Sequence, residues 1–103
     1  MADRQGLQDL LLDLMGPDAP NVYFQPPEGH KYVYPCIRYE VDDVDTKFAD
    51  NKSYTKRIGY LVIFMTEDPD DPRWLKLLNF TLCSFSRHYT TDGLHHYVYI
   101  LFF

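Results

Sequence analysis

Apolar side chains fill one stretch of the chain, residues 58–66, almost without interruption. Successive side chains of a strand point to opposite faces, and here both faces are apolar. One face carries Ile58, Tyr60, Val62 and Phe64, and the other carries Leu61, Ile63 and Met65. A half-solvated strand would alternate apolar with polar residues, so the stretch predicts a central strand covered on both sides. It is too short for a bilayer-spanning helix, and its β-branched and aromatic residues favour a strand.

Two segments show helical spacing. Leucines near the N-terminus recur at i, i+3, i+4 and i+7, widened by Leu12 and Met15, and Gly16-Pro17 ends the predicted helix. The stripe consists of Leu7, Leu10, Leu11 and Leu14. A shorter helix is predicted with Asp71 as N-cap and Pro72 as first helical residue. Its buried face comprises Trp74, Leu77 and Leu78.

Other strands are predicted on both sides of the central one. Val22-Tyr23-Phe24 is a short strand that ends at the following prolines, and residues 32–41 form a longer one. Pro35 lacks an amide hydrogen, so it should lie at an edge, at a bulge or at the beginning of that longer strand. Its core-facing residues are predicted to be Ile37, Tyr39 and Val41.

The C-terminal part predicts a hairpin. Residues 82–89 and 94–103 form its strands, and Thr90-Thr91-Asp92-Gly93 forms its turn, with Gly93 free to adopt a positive φ. The order of elements predicts a single α+β domain with a mostly antiparallel sheet of about five strands and two helices on one face. The other face keeps many aromatic residues, and a neighbouring subunit is one candidate to cover it.

Residues 42–56 differ from the rest of the chain. Acidic residues come first, lysines follow, and only Phe48 and Tyr54 are large and apolar. A connection this long inside a small domain is functional or disordered, or it extends a hairpin. We interpret it as an extended loop or arm whose aromatic residues hold a neighbouring subunit or partner while its charges set register. The predicted interface residues are Asp45, Lys47, Phe48, Lys52 and Tyr54.

Composition favours contacts between proteins over nucleic-acid binding. The net charge of −5 disfavours tight binding to nucleic-acid phosphates. An aromatic content of 17% exceeds what a small core needs, and exposed aromatic residues suit protein–protein interfaces. Residues 1–15 do not resemble a signal peptide, which indicates the cytosol, where disulfides are rare. Cys36 and Cys83 are therefore interpreted as buried free thiols.

No motif for catalysis, cofactor binding or metal binding occurs in the sequence. We therefore expect no catalytic, cofactor-binding or metal-binding residues and no enzymatic activity. An enzyme would need Cys83 beside His88, His95 or His96. The odd separation of Cys83 from His88 predicts opposite faces of their strand, and His95 and His96 also face opposite ways. A metal site would need two of these histidines to converge across strands. The alternative for the histidines is a polar hairpin surface. Separately, Asp43 and Asp45 are candidates to hold a cation between subunits. The acidic residues before the second helix are interpreted as capping that helix, with a metal site as the alternative.

Several stretches of the chain resemble the minor structural proteins of long-tailed bacteriophages and prophages. These are Val22-Tyr23-Phe24-Gln25-Pro26-Pro27, Tyr34-Pro35-Cys36-Ile37-Arg38-Tyr39, Phe48-Ala49-Asp50-Asn51, Cys83-Ser84-Phe85-Ser86-Arg87-His88-Tyr89-Thr90 and His96-Tyr97-Val98. The likeness extends over essentially the whole chain. The chain most resembles the tail-terminator, or tail-completion, family. None of the matching stretches is catalytic.

The resemblance implies a structural virion protein assembled in the host cytoplasm, with no membrane contact. It implies a ring, usually hexameric, at the head-proximal end of the tail tube that ends tube polymerisation. The implied partners are the major tail tube protein and the head–tail connector, or neck, protein, while DNA passes through the lumen without sequence-specific binding. A negative lumen would repel phosphates. The alternatives are a neck or head-completion connector of the same module and, from another class, a small cytosolic Cys/His enzyme.

Overall fold

A computed structural model describes residues 4–17, 20–29, 31–49, 52–80 and 83–103, without the side chains of residues 43–57. The chain forms an α+β fold, as predicted, with one five-stranded sheet and two helices. The elements are α1 (Arg4–Met15), β1 (Val22–Phe24), β2 (Cys36–Ala49), β3 (Lys52–Thr66), α2 (Arg73–Leu77), β4 (Cys83–Thr91) and β5 (Leu94–Phe102).

Strand β3 lies at the centre of the sheet, whose order is β1-β2-β3-β5-β4. It pairs antiparallel with β2 on one side and with β5 on the other, and β4 pairs antiparallel with β5. Only the short β1 is parallel to its neighbour, β2. The central position that the apolar pattern predicts for this strand is therefore confirmed.

The main core lies between the helices and one face of the sheet. The register places Ile37, Phe64 and Tyr97 in one row across this face, and Tyr39, Val62 and Tyr99 in the next. Buried residues of both helices pack against these rows. The core consists of Leu7, Leu11, Met15, Ile37, Tyr39, Tyr60, Val62, Phe64, Leu77, Tyr97, Tyr99 and Leu101.

The buried stripe of α1 differs from the predicted one. Leu7, Leu11 and Met15 are fully buried, whereas Leu10 is 46% exposed. Successive helical residues are about 100° apart around the axis, so the buried three centre on the direction of Leu11. Leu10 lies about 100° from that direction and consequently falls at the margin of the contact. Leu14, which lies between the two directions, is partly buried.

Strand β2 begins at Cys36, four residues later than predicted, and Pro35 directly precedes it. Of the three predicted places for this proline, the beginning of the strand is therefore the observed one. Val41 was predicted to face the core but is 44% exposed. Strand β1 ends at Phe24, opposite Tyr39, and Arg4 of α1 reaches that pair, so Val41 lies beyond the covered part of the face.

Helix α2 begins one residue later than predicted, at Arg73, so Pro72 occupies the N-cap position predicted for Asp71. Asp71 is nevertheless buried, and its carboxylate accepts a hydrogen bond from the Arg73 amide at 3.0 Å. The same carboxylate pairs with the Arg73 guanidinium at 2.9 Å. Leu78, predicted on the buried face, is the C-cap residue and is exposed. The proposed capping role of the acidic turn is thus observed for Asp71, displaced by one position.

The β4–β5 turn follows the prediction closely. Thr91 pairs with Leu94, which leaves Asp92 and Gly93 as a two-residue connection. Both have positive φ, 52° and 77°, the combination that matches the twist of paired strands. Strand β4 continues to Thr91, two residues beyond its predicted end.

Leu11→Ala should destabilise the fold by about 2–5 kcal/mol, because it removes a fully buried side chain and leaves a cavity between α1 and the sheet. Leu10→Ala, one residue away on the same helix, is the matched control and should change the unfolding free energy by about 0.5 kcal/mol or less. Urea unfolding measures both. Equal losses in the two variants would contradict the observed orientation of α1.

Candidate functional site

Of the alternatives for residues 42–56, the extension of a hairpin is the one observed, because the segment continues β2 and β3, the two longest strands of the sheet. Strands β2 and β3 remain paired far beyond their neighbours, through Asp45 opposite Arg57 to Ala49 opposite Lys52. Strand β5 ends opposite Gly59, and the Phe103 amide donates to the Ile58 carbonyl at 3.1 Å. The residues farther out pair only with each other in the described part of the chain. We call residues 45–49 and 52–57 the β2–β3 ribbon. At about 3.4 Å per residue, it projects about 20 Å from the sheet.

The ribbon elongates the molecule. The principal extents are 51 × 25 × 25 Å, and the radius of gyration is 14.7 Å, compared with about 13 Å for an ordinary domain of 100 residues. A register shift after Lys47 interrupts its pairing, and another, after Val41, lies just before it in β2. An isolated two-stranded ribbon has marginal stability in water, so packing against another surface would stabilise this one.

All five predicted interface residues lie in the ribbon. Asp45 pairs with Arg57, Lys47 with Thr55, and Lys52 with Ala49. Phe48 pairs with Ser53, and Tyr54 falls at the second register shift. Their side chains lie outside the described residues, so their role as contacts stays a prediction. The carboxylates of Asp43 and Asp45, considered above for a cation, also lie outside the described residues.

The sheet face opposite the helices is apolar along its centre. Leu61 pairs with Ile100 and Ile63 with Val98, so aliphatic side chains of β3 and β5 form adjacent rows. We call this surface the open face, because both helices pack on the opposite side of the sheet. It comprises Leu61, Ile63, Met65, Val98, Ile100 and Phe102. Alternation along each strand assigns these residues to one face, and the β3–β5 register that makes them adjacent comes from pairing between strands distant in the chain.

Polar and charged residues flank the open face on both sides. On β2, Arg38 and Glu40 form an ion pair with 3.5 Å between nitrogen and oxygen. On β4, the Arg87 guanidinium lies over the Tyr89 ring, which in turn stacks on His96. An apolar centre with a polar rim is the usual anatomy of a protein–protein contact. Sequence reasoning anticipated an apolar second face and did not anticipate this rim.

The thiols lie in surroundings that suppress ionisation. Cys36 is fully buried, and burial raises its thiol pKa to about 12. Cys83 is partly buried beside the main core, and burial raises its pKa to about 11. Both cysteines are free, as predicted. Because the thiolate is the nucleophilic form, both are poor nucleophiles near neutral pH.

The predicted orientation of Cys83 and His88 is wrong. A bulge between Phe85 and Arg87 inserts one extra residue into β4, which changes the alternation of its side chains. Cys83 packs against the core, and His88 stacks on Tyr97 of the same helix-covered face. Sharing a face does not bring them together, because five positions along a strand span more than about 13 Å. The prediction that His95 and His96 face opposite ways is confirmed by the register.

Internal contacts engage the Asp71 carboxylate in the acidic turn before α2. Asp71 also accepts from the Thr66 hydroxyl at 3.4 Å, and that hydroxyl accepts from the Asp68 amide at 3.1 Å. A cleft of about 350 Å³ opens beside these residues, lined in part by Tyr34 and Arg73. Desolvation, followed by the proximity of Cys36, raises the pKa of Tyr34. Among the described residues, no three His, Cys, Asp or Glu side chains group as metal ligands.

The raised pKa predicts slow alkylation of Cys83. At pH 8, a thiol with the ordinary pKa of about 8.5 is roughly one-quarter thiolate, whereas a pKa of about 11 leaves roughly one part in a thousand. In Cys36→Ser, iodoacetamide should therefore modify native Cys83 roughly 100-fold more slowly than in urea, with the rate rising as pH approaches 11. Intact mass against time measures this. Native and unfolded rates within threefold of each other would contradict it.

Within the described residues, no helix has the length and apolar character needed to cross a membrane. Comparison of the chain with protein-family models, with curated proteins and with solved structures gave no match.

Proposed function

We propose that this chain is a structural subunit of a ring that terminates the tail of a long-tailed bacteriophage or prophage. The assignment to a phage tail rests on the resemblance of the sequence. The observation that carries an assembly role is the open face, an apolar surface with no helix over it on a subunit that also extends an unsupported ribbon. Association with a neighbour would stabilise both the ribbon and the half-buried side chains of the open face.

The open face supplies a hydrophobic contribution to association. Full burial of a large aliphatic side chain contributes about 1.5–3 kcal/mol, and the half-buried Leu61, Ile63 and Ile100 can gain a fraction of that each. Their neighbours Val98 and Met65 are already buried and give the surface a firm base. The flanking ion pair and Arg87 favour one register over others, because mismatched charges are costly at an interface.

The ribbon and the open face are different surfaces of one subunit. A contact between the ribbon of one copy and another surface of the next is heterologous, and repetition of such a contact closes into a ring when the rotation permits. The reach of about 20 Å is similar to the 25 Å width of the subunit, so the ribbon can span much of a neighbour. These dimensions support a ring in which the ribbon of each copy packs on the next copy.

The charge of the chain is compatible with a conduit for DNA. With a net charge of −5, the subunit lacks the excess of Lys and Arg that neutralises phosphates in tight complexes. A ring of such subunits would let DNA pass without retaining it. We propose as its partners the major tail tube protein on one side and the head–tail connector on the other, and no catalytic step.

Shortening the ribbon should abolish function and preserve the fold. Replacing residues 46–56 by Asn-Gly joins Asp45 to Arg57, which already pair, through a two-residue turn. We expect a folded subunit with nearly unchanged thermal unfolding, because the main core lies outside the ribbon. In a complementation assay, electron microscopy should show tails of abnormal length that fail to join heads.

Point variants in the ribbon separate contact from folding. Phe48→Ala with Tyr54→Ala should reproduce the defect, while Thr55→Ser in the same ribbon should not. Tails of normal length joined to heads, produced by the shortened variant, would refute the ribbon's role. If a label on the subunit maps to the portal, away from the tube end, the neck or connector alternative replaces the assignment as tail terminator.

Ile100→Lys should block assembly by placing a charge at the centre of the open face. Because Ile100 is only half-buried in the subunit, the lysine can extend to solvent and the fold should survive. Ser84→Lys is the matched control, since Ser84 pairs with Ile100 but lies on the edge strand and is exposed. Tail capping should fail only in the first variant, and normal capping by both would exclude the open face as a contact.

Cys83→Ser should assemble normally, because the proposed role has no catalytic step.

A further inference from the structure

Two histidine side chains approach each other across the β4–β5 hairpin. His88 pairs with Tyr97 and Thr90 pairs with His95, so His88 and His95 are diagonal neighbours on one face of the sheet. His88 Nε2 lies 3.4 Å from His95 Nδ1. The two-residue turn at Asp92 and Gly93 produces this juxtaposition, because counting from the Thr91–Leu94 pair places His88 opposite Tyr97, on the face that His95 occupies. The convergence that the sequence left open is therefore present for this pair.

The pair is held by aromatic contacts that continue into the domain. The His88 ring stacks on Tyr97 with 4.6 Å between centroids, and Tyr97 stacks on Trp74 of α2 at 5.0 Å. Tyr97 is buried in the main core, so this side of the pair has a firm support. The two-residue turn at Asp92 and Gly93 constrains the other side. Such support reduces the conformational entropy that two surface side chains would lose on sharing a ligand.

The separation of the nitrogens fits two ligands of one metal ion. With metal–nitrogen bonds of about 2.05 Å, a tetrahedral angle separates two ligand nitrogens by about 3.3 Å, and a square-planar right angle by about 2.9 Å. The observed 3.4 Å matches the tetrahedral value. We propose that His88 Nε2 and His95 Nδ1 form a two-histidine site for a divalent transition metal ion that favours tetrahedral coordination, with Zn²⁺ as the best fit.

The remaining coordination positions would belong to water, since the hairpin end is open to solvent. Thr90 lies beside the pair, with its hydroxyl oxygen 3.2 Å from His95 Nδ1. When that nitrogen binds a metal, the hydroxyl is free to accept a hydrogen bond from a metal-bound water. Two protein ligands make an exchangeable site, unlike the closed four-ligand sites that hold structural zinc.

Metal binding requires both ligating nitrogens to be unprotonated. His88 then carries its proton on Nδ1 and His95 on Nε2, and both tautomers are accessible to a neutral imidazole. Protons compete with the metal ion for both nitrogens. The titratable groups facing the pair from packed elements are Tyr97 on β5 and, behind it, Asp71 before α2, whose charge acts on Tyr97. This site is independent of the proposed assembly role.

Titration of the purified full chain with zinc chloride tests the site. At pH 7.5, calorimetry should detect one Zn²⁺ per chain, and imidazole NMR signals of His88 and His95 should shift together. His88→Gln and His95→Gln should each weaken binding by roughly tenfold or more, since even indirect supports of a metal site contribute that much.

His96→Gln is the matched control, because His96 lies on the same hairpin but on the opposite face, stacked on Tyr89. It should bind Zn²⁺ like the unmodified chain. The double variant lacking both His88 and His95 measures binding by the rest of the chain, including His30. The proposal is overturned when that double variant binds as well as the unmodified chain, when His96→Gln loses affinity equally, or when no heat of binding appears.

Discussion

Pairing of β3 on both sides is the constraint on which the rest of the structure depends. The register with β2 and β5 assigns Tyr60, Val62 and Phe64 to the helix-covered face. Because side chains alternate with a period of two, a shift of one residue would send every one of them to the other face. The strand also ends in a fixed structure, since the buried Thr66 hydroxyl binds both Asp68 and Asp71 before α2.

The helices bring enough apolar surface for one face of the sheet only. Helix α1 has 12 residues and α2 has five, and both pack on the same side. The second apolar face of β3 is consequently left with strand neighbours and a polar rim. In the same way, extension of β2 and β3 beyond β1 and β5 leaves the ribbon without lateral partners among the described residues. The proposed assembly role would explain both consequences together.

Tyrosine lets a small core be both apolar and hydrogen-bonded. Tyr99 is fully buried, and its hydroxyl donates to the Trp74 carbonyl at 2.7 Å, which joins β5 to α2. Tyr39 is also fully buried, and its hydroxyl donates to Gln8 and accepts from Arg4, which joins β2 to α1. Burial raises the pKa of both phenols, so they remain neutral donors. Part of the high aromatic content therefore serves the attachment of the helices.

Local pattern determined the elements that bury one face or need a special turn: the central strand, the helix α1 and the turn at Asp92 and Gly93. Each depends on interactions within a few residues of the chain. The continuation of β2 and β3 through a polar segment had no such signal, because both faces of a solvated ribbon accept polar side chains and no alternation results. Only the tertiary structure decided that extension.

The candidate sites divide in the same way. The apolar second face follows from the sequence of β3, whereas its polar rim depends on which strands pair and in which register. The meeting of His88 and His95 follows from the register that the two-residue turn sets. The face of Cys83, in contrast, depends on one extra residue farther along β4, since a bulge reverses the alternation that spacing alone would assign. The exposure of Leu10 and Val41 likewise reflects where α1 ends its contact with the sheet. The sequence thus determined which residues are apolar and favour burial. Long-range packing decided which of them are buried, because the elements that cover them are distant in the chain.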